Sequence, residues 1–257
     1  MTKVVILAGG LGTRLREETE FKPKPMVEIG GMPIIWHIIS NFAVSGFTDF
    51  IIATGYKGHV IKEFFRNLEN YLSDFIVHIG GDKGLKIHNI NQSKFDINVS
   101  VIDTGLSTMT GGRIYKLKEY VGNDDFICTY GDGLSNINPN TLLKFHLEQK
   151  TVATVTAVKP RSRFGQLEIF NSGIVGNFRE KPIMQDWVNG GFFVFSNDIF
   201  KYLSEDDVLE GTPLSRLVSD QQLSAFKHDG FWYPMDTYRE FLDLNKMWDE
   251  GNAPWIL

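Results

Sequence analysis

The sequence predicts an α/β protein: a mixed, mostly parallel β-sheet flanked by helices, in a single domain spanning residues 1–257. Three features lead there. Short unbroken apolar runs, such as Val4–Ala8 and Phe50–Thr54, read as strands buried on both faces. Segments with apolar residues at helical spacing stand between them. The two kinds of segment alternate through the first half, as β-α-β units require.

Val4–Ala8 is the first strand. Pro33 sits where a helix favours its first residue; Ile34, Ile35, Ile38, Ile39 and Phe42 follow at helical spacing, and Gly46 ends the segment. Phe50–Thr54 is the second strand. Val60, Ile61, Phe64, Phe65 and Leu68 form another apolar helix face. Phe75–Ile79 and Val99–Asp103 read as strands, with the polar, irregular stretch Gly80–Ile97 as an excursion between them. That excursion is either a subunit contact or a lid. Thr110–Val121 is a short helix, Phe126–Tyr130 a strand and Asn140–Gln149 a helix.

The second half changes character. Val152–Val158, Gln166–Phe170, Ile174–Arg179 and Phe192–Phe195 are strand-like, with few helices between them, and "FNSGIV" is a tight turn. Tyr238–Trp248 returns to helix. We therefore expect a nucleotide-binding core over 1–150, and a smaller β-rich lobe with a C-terminal helix over 151–257.

Composition narrows the function classes. With 26 Lys+Arg against 31 Asp+Glu the net charge is −5, which argues against a nucleic-acid backbone as partner. The single cysteine, Cys128, permits no intramolecular disulfide and fits a reducing compartment. No apolar stretch approaches the roughly 20 residues that span a bilayer, and the start reads as a strand rather than a leader. A cytoplasmic protein with no membrane partner is the expectation.

The strongest local signal is "LAGGLGTRL" at residues 7–15. Gly9, Gly10 and Gly12 let backbone amides approach a ligand closely, and successive amides at a strand-to-helix turn cradle anions. Arg14 adds a planar fork suited to phosphate oxygens. A P-loop is excluded because no Gly-Lys-Ser/Thr follows, and a dinucleotide fingerprint because Leu15 stands where its third glycine would be. In "KPKP", Pro23 and Pro25 are expected to hold Lys22 and Lys24 extended, placing cations behind the turn.

GGLGTRL, followed by KPKPMVEIGGMPII, resembles the nucleotidyltransferases that make nucleotide sugars from a sugar 1-phosphate. "YGDG", "FREKP", "NGGFFVF" and "FWYPMDT" continue the resemblance in family order. "DTGLSTMTGGR" and the ending "PMDT…W…APW" resemble most closely the branch that joins CTP to glucose 1-phosphate. The resemblance implies a Rossmann-like core with a sugar-binding lobe, and an enzyme that is commonly a homo-oligomer. Leu7, Ala8, Gly9, Gly10, Gly12, Thr13, Arg14, Lys24 and Gly131 would bind the nucleotide. Lys24 would contact the attacked phosphate, and Asp132 and Asp236 would hold Mg²⁺. Lys181 would engage the sugar phosphate, while Gly165, Glu180, Asn189 and Gly190 would line the sugar pocket.

Read as chemistry, Asp132 follows an apolar run and stands between glycines, where a carboxylate suits a hard cation; an Asp-Gly hairpin turn is the alternative. Asp236 precedes an apolar helix and could equally be its cap. Lys181, between Glu180 and Pro182, could be a surface ion pair. Arg113 either reaches phosphate or sugar, or lies solvated on a helix. Relatives that use thymidine or uridine commonly carry a glutamine near the strand that ends at Asp103. Here Thr104, Ser107 and Thr108 stand in that stretch with no glutamine, which permits cytosine, whose edge presents an amino donor and two acceptors. UTP or dTTP, another phosphorylated acceptor, or a non-catalytic sensing subunit are the competing readings. Retention of Arg14, Lys24, Asp132, Lys181 and Asp236 weighs against the last.

Overall fold

The computed structural model describes residues 2–78, 86–89 and 95–256. Its centre is a seven-stranded sheet: β1 (Lys3–Ala8), β2 (Asp49–Thr54), β3 (Asn98–Asp103), β4 (Phe126–Tyr130), β5 (Ala153–Val158), β6 (Val188–Phe195) and β7 (Leu223–His228). The order across the sheet is β7-β5-β6-β4-β1-β2-β3. Only β6 runs antiparallel to its neighbours, β4 and β5. The expected mixed, mostly parallel α/β sheet is therefore present.

The unbroken apolar run of β1 is explained by burial on both faces. Val4, Ile6 and Ala8 join one core layer, Val5 and Leu7 the other. The first layer is filled by Ile34, Ile35, Ile38, Ile39 and Phe42 of the helix Ile34–Val44, and by Ile61 and Phe64 of the helix Gly58–Arg66. The second receives Ile114 and Leu117 from the Thr110–Val121 segment, with Ile199, Phe200 and Leu217. Cys128 is fully buried in β4, as expected for a small packed residue, and burial pushes its thiol pKa up.

Several expectations need correction. Phe75–His78 is a strand, but it pairs with Lys86–Asn89 in a separate hairpin, and the edge position beside β2 goes to β3. All four of its residues are exposed, so no sheet face needs them buried. Residues 80–85 and 90–94 of the 80–97 excursion lie outside the described residues, and so does the choice between lid and subunit contact. The helix over Thr110–Val121 breaks at Leu117, whose amide bonds three residues back to Ile114. The later strands do not form a lobe of their own. β5, β6 and β7 extend the central sheet, while the hairpin Gln166–Ile169/Val175–Arg179 stands apart from it, closed by the predicted turn. β7 and the helix Thr212–Ser219 escape the sequence reading altogether.

Two short elements position the site. Gly133–Ser135, just past β4, pairs antiparallel with Trp232–Pro234. The helix Tyr238–Asp249 then starts from a capping box in which Thr237 and Glu240 bond each other's backbone amides. Beyond that helix, Trp255 is fully buried, tilted against Phe231 at 5.7 Å and donating from Nε1 to His37 Nδ1 at 3.4 Å. Trp255→Ala should therefore lower unfolding free energy by about 3–5 kcal/mol, read from urea denaturation; a loss near zero would show that the C-terminal segment is not part of the core.

Candidate active site

The glycine turn leaves the carboxyl end of β1, where open α/β sheets bind ligands. Gly12 adopts φ +65°, and its carbonyl accepts from the Leu15 amide at 3.0 Å, tightening the turn into Thr13–Leu15. Gly10, Thr13 and Arg14 are exposed, so this edge is open to solvent. Leu7 and Ala8 have buried side chains and can offer a ligand only backbone. The Leu7 carbonyl already accepts the Gly131 amide at 3.0 Å, which joins the ends of β1 and β4.

Lys24 is not extended as expected. Pro23 is extended, but Lys24–Met26 form one 3-10 turn, closed by bonds from Met26 N to Pro23 O at 2.8 Å and from Val27 N to Lys24 O at 3.1 Å. That turn sends the Lys24 side chain inward. Its Nζ lies 2.6 Å from Asp132 Oδ2 and 2.6 Å from Asp236 Oδ1. Lys22, by contrast, pairs with Glu28 at 3.2 Å.

The two aspartates are far apart in the sequence yet meet because Gly133 registers against Pro234 and the Met235 amide donates to the Asp132 carbonyl at 2.8 Å. The hairpin alternative for Asp132 therefore fails: the chain past it pairs with Trp232–Pro234, not back with β4. The cap alternative for Asp236 fails too, since Thr237 is the cap. Arg14 Nη1 completes the cluster, 2.8 Å from Asp236 Oδ2.

Charge accounts for this geometry. Burial works against the Lys24 ammonium, but Asp132 and Asp236 outweigh it and hold its pKa above the ordinary lysine value. Burial would raise the Asp236 pKa, yet Lys24, then Arg14 and Arg163, hold it below the ordinary carboxylate range. Lys24 is thus cationic and Asp236 ionised near neutrality. Such a half-buried pair is costly to break from one side only.

The cluster opens into a cleft of about 1580 Å³. That exceeds the roughly 300–1,000 Å³ of ordinary small-ligand sites and leaves room for two reactants. Arg14, Asp132, Asp236, Lys181, Asn189 and Gly190 all line it, so these six expected site residues are brought together, while Gly9, Gly10, Gly12, Thr13 and Lys24 are not among its lining. Lys181 also pairs with Glu180 at 3.4 Å. Gly165 and Glu180 do not line the cleft; a Cβ on Gly165 would meet Phe178 and Glu180 instead. Trp232 packs against the core, lines the cleft and donates to the Gly190 carbonyl at 2.6 Å.

Arg113 is placed differently from either expectation. It is buried, and its guanidinium donates to the carbonyls of Thr54 (2.9 Å), Gly105 (2.8 Å), Gly9 (3.0 Å) and Leu106 (3.4 Å), and to Thr104 Oγ1 (2.6 Å). It ties the glycine turn to the loops after β2 and β3. Both of its terminal nitrogens, Nη1 and Nη2, are engaged by the fold. Thr104 donates its own hydroxyl to the Thr54 carbonyl, and Thr108 donates to the Thr104 carbonyl. Both hydroxyls are engaged within the fold, while Ser107 is exposed.

Sequence reasoning missed Arg163 and Glu240. Arg163 lies 3.0 Å from Glu240 and 3.8 Å from Asp236. The Thr-x-x-Glu spacing over 237–240 was the available signal for Glu240; nothing in "RSRFG" marks Arg163.

A model of the nucleotidyl transferase family matches residues 3–249, nearly the whole chain. The chain belongs to the nucleotidyl transferase family. Members of the family generally use a divalent metal ion. Among its relatives, the chain is 46% identical to a glucose-1-phosphate cytidylyltransferase of Salmonella typhimurium, with 98% of each chain covered. It is 40% identical, at the same coverage, to a probable glucose-1-phosphate cytidylyltransferase of Bacillus subtilis. The fold matches a solved putative glucose-1-phosphate thymidylyltransferase of Bacillus anthracis, with a TM-score of 0.69 at 19% identity over 96% of this chain and 95% of that one. No helix among the described residues is long and apolar enough to cross a membrane.

Proposed function

We propose that this nucleotidyl transferase moves a cytidylyl group from CTP to glucose 1-phosphate, giving CDP-glucose and pyrophosphate. The observation that carries the reading is the cluster in which Lys24 pairs with Asp132 and Asp236 and Arg14 meets Asp236, with Arg14 and both aspartates lining one cleft. The near full-length 46% identity to a cytidylyltransferase supports the choice of substrates.

The attacking oxygen of a sugar 1-phosphate is already anionic, so substitution at the α-phosphorus needs no general base. Repulsion between two polyanions opposes it. The glycine-turn amides and Arg14 hold the triphosphate, Lys24 lies between the carboxylates, and Lys181 draws the sugar phosphate into line. Asp132 and Asp236 fit Mg²⁺: both offer hard oxygens, and Asp132 Oδ1 receives no hydrogen bond among the described residues. Bound by them and by substrate phosphates, Mg²⁺ would neutralise charge that develops on the triphosphate.

Pyrophosphate release measured over a panel of nucleotides and sugar 1-phosphates tests the reading. We expect kcat/KM for CTP to exceed that for UTP by about 100-fold or more, because a site matched to one hydrogen-bond pattern leaves groups unpaired with the swapped one. Equal values would rule out cytosine selection. We also propose a homo-oligomer, supported by Leu167, Ile169, Phe170, Ile174 and Phe178, which stand exposed on the projecting hairpin. Light scattering reads the mass directly, and a 29.2 kDa particle would refute assembly.

A further inference from the structure

Asp236 faces more positive charge than one carboxylate needs. Its Oδ1 accepts from Lys24, and its Oδ2 meets Arg14 at 2.8 Å and Arg163 at 3.8 Å. Arg163 is the loosest of the three, and its side chain is 55% exposed. It lies in the segment between β5 and the projecting hairpin, next to Phe164, and lines the same cleft as Lys181. Glu240 anchors it from behind: Oε1 accepts from Arg163 at 3.0 Å, while Oε2 accepts the amides of Asp236 and Thr237 at 2.7 and 2.8 Å. One glutamate therefore sets both the backbone of Asp236 and the guanidinium beside it.

A divalent ion at Asp132 and Asp236 would add two positive charges where three cations already gather. Lys24 is buried between both carboxylates, and Arg14 belongs to the glycine turn. Arg163, farthest from Asp236 at 3.8 Å, is the cation that leaves that carboxylate at least cost. We propose that Arg163 is an exchange residue. It balances the charge of Asp236 in the free protein, gives way when the divalent ion brings its own charge, and then turns to the phosphate of the incoming sugar 1-phosphate. The inference rests on the nucleotidyl-transfer reading and assigns it an order, ion before sugar phosphate.

The test compares the wild type with Arg163→Met and Arg163→Lys. Mn²⁺ binding to the nucleotide-free protein, followed by electron paramagnetic resonance, should tighten by about threefold to tenfold in Arg163→Met, because a competing charge is gone, and should stay near wild type in Arg163→Lys. KM for glucose 1-phosphate should rise by about tenfold in Arg163→Met while KM for CTP stays the same, since a charge-assisted bond to one substrate is lost. Mn²⁺ binding that is unchanged or weaker overturns the exchange. Tighter binding with an unchanged sugar-phosphate KM overturns the second role. If Arg163→Met does not give the wild-type circular dichroism spectrum, Arg163→Gln replaces it in both measurements. The Mn²⁺ measurement uses no nucleotide or sugar, so it decides the exchange even if the cytidylyl assignment fails.

Discussion

Asp236→Asn is expected to lower kcat by about two to three orders of magnitude while leaving the protein folded. The amide keeps the shape of the carboxylate and loses its charge. Lys24 would then keep one anion, Asp132, where it now has two, and Arg14 would lose its carboxylate partner. A divalent ion would lose half of its protein ligand charge. Folding should survive, because Glu240 fixes the backbone here by bonding the amides of residues 236 and 237, and those bonds do not involve the Asp236 side chain. Pyrophosphate release in saturating CTP and glucose 1-phosphate measures the loss, with circular dichroism as the folding control. Turnover within threefold of wild type would remove Asp236 from the chemistry.

Gly9→Ala is expected to be nearly as damaging, through packing. The Gly9 backbone is not in the left-handed region, so conformational freedom is not the reason for glycine here. A Cβ would stand 2.1 Å from Arg113 Cζ. That guanidinium cannot step aside cheaply, because it is buried and satisfies carbonyls from three loops. Moving it leaves buried acceptors unpaired, at about 1–3 kcal/mol each. We expect Gly9→Ala to lose about 2–5 kcal/mol of stability in urea denaturation and to weaken nucleotide binding by about tenfold or more. A variant as stable as wild type with unchanged KM for CTP would mean that Arg113 does not brace the turn.

How far the sequence could be read depended on the range of the interaction. β1 was legible because five successive apolar residues have no other use than burial on both faces. The glycine turn and Arg14 were legible because their chemistry is local. Asp132 and Asp236 could be singled out, but not brought together, since their meeting depends on two three-residue strands with no periodicity to detect. Arg113 was misread because a pattern such as "TGGR" shows where a long side chain starts and not where it ends. Lys24 was misread because proline on both sides suggested extension, whereas Pro25 at the start of a 3-10 turn sends the lysine inward. β7 was missed because its alternation is weak and its residues only half-buried, and a lobe boundary at residue 150 was drawn where the sheet in fact continues.

Charges from distant parts of the chain gather at one point, where the proposed reaction would bring two polyanions together. The most direct measurement is a crystal structure of the protein with CTP and Mn²⁺, with the ion located by its anomalous scattering. The account predicts an ion coordinated by both Asp132 and Asp236 and by a phosphate oxygen, with the triphosphate resting on the amides of residues 9–13. An ion held away from either carboxylate, or a triphosphate bound off the glycine turn, would contradict it.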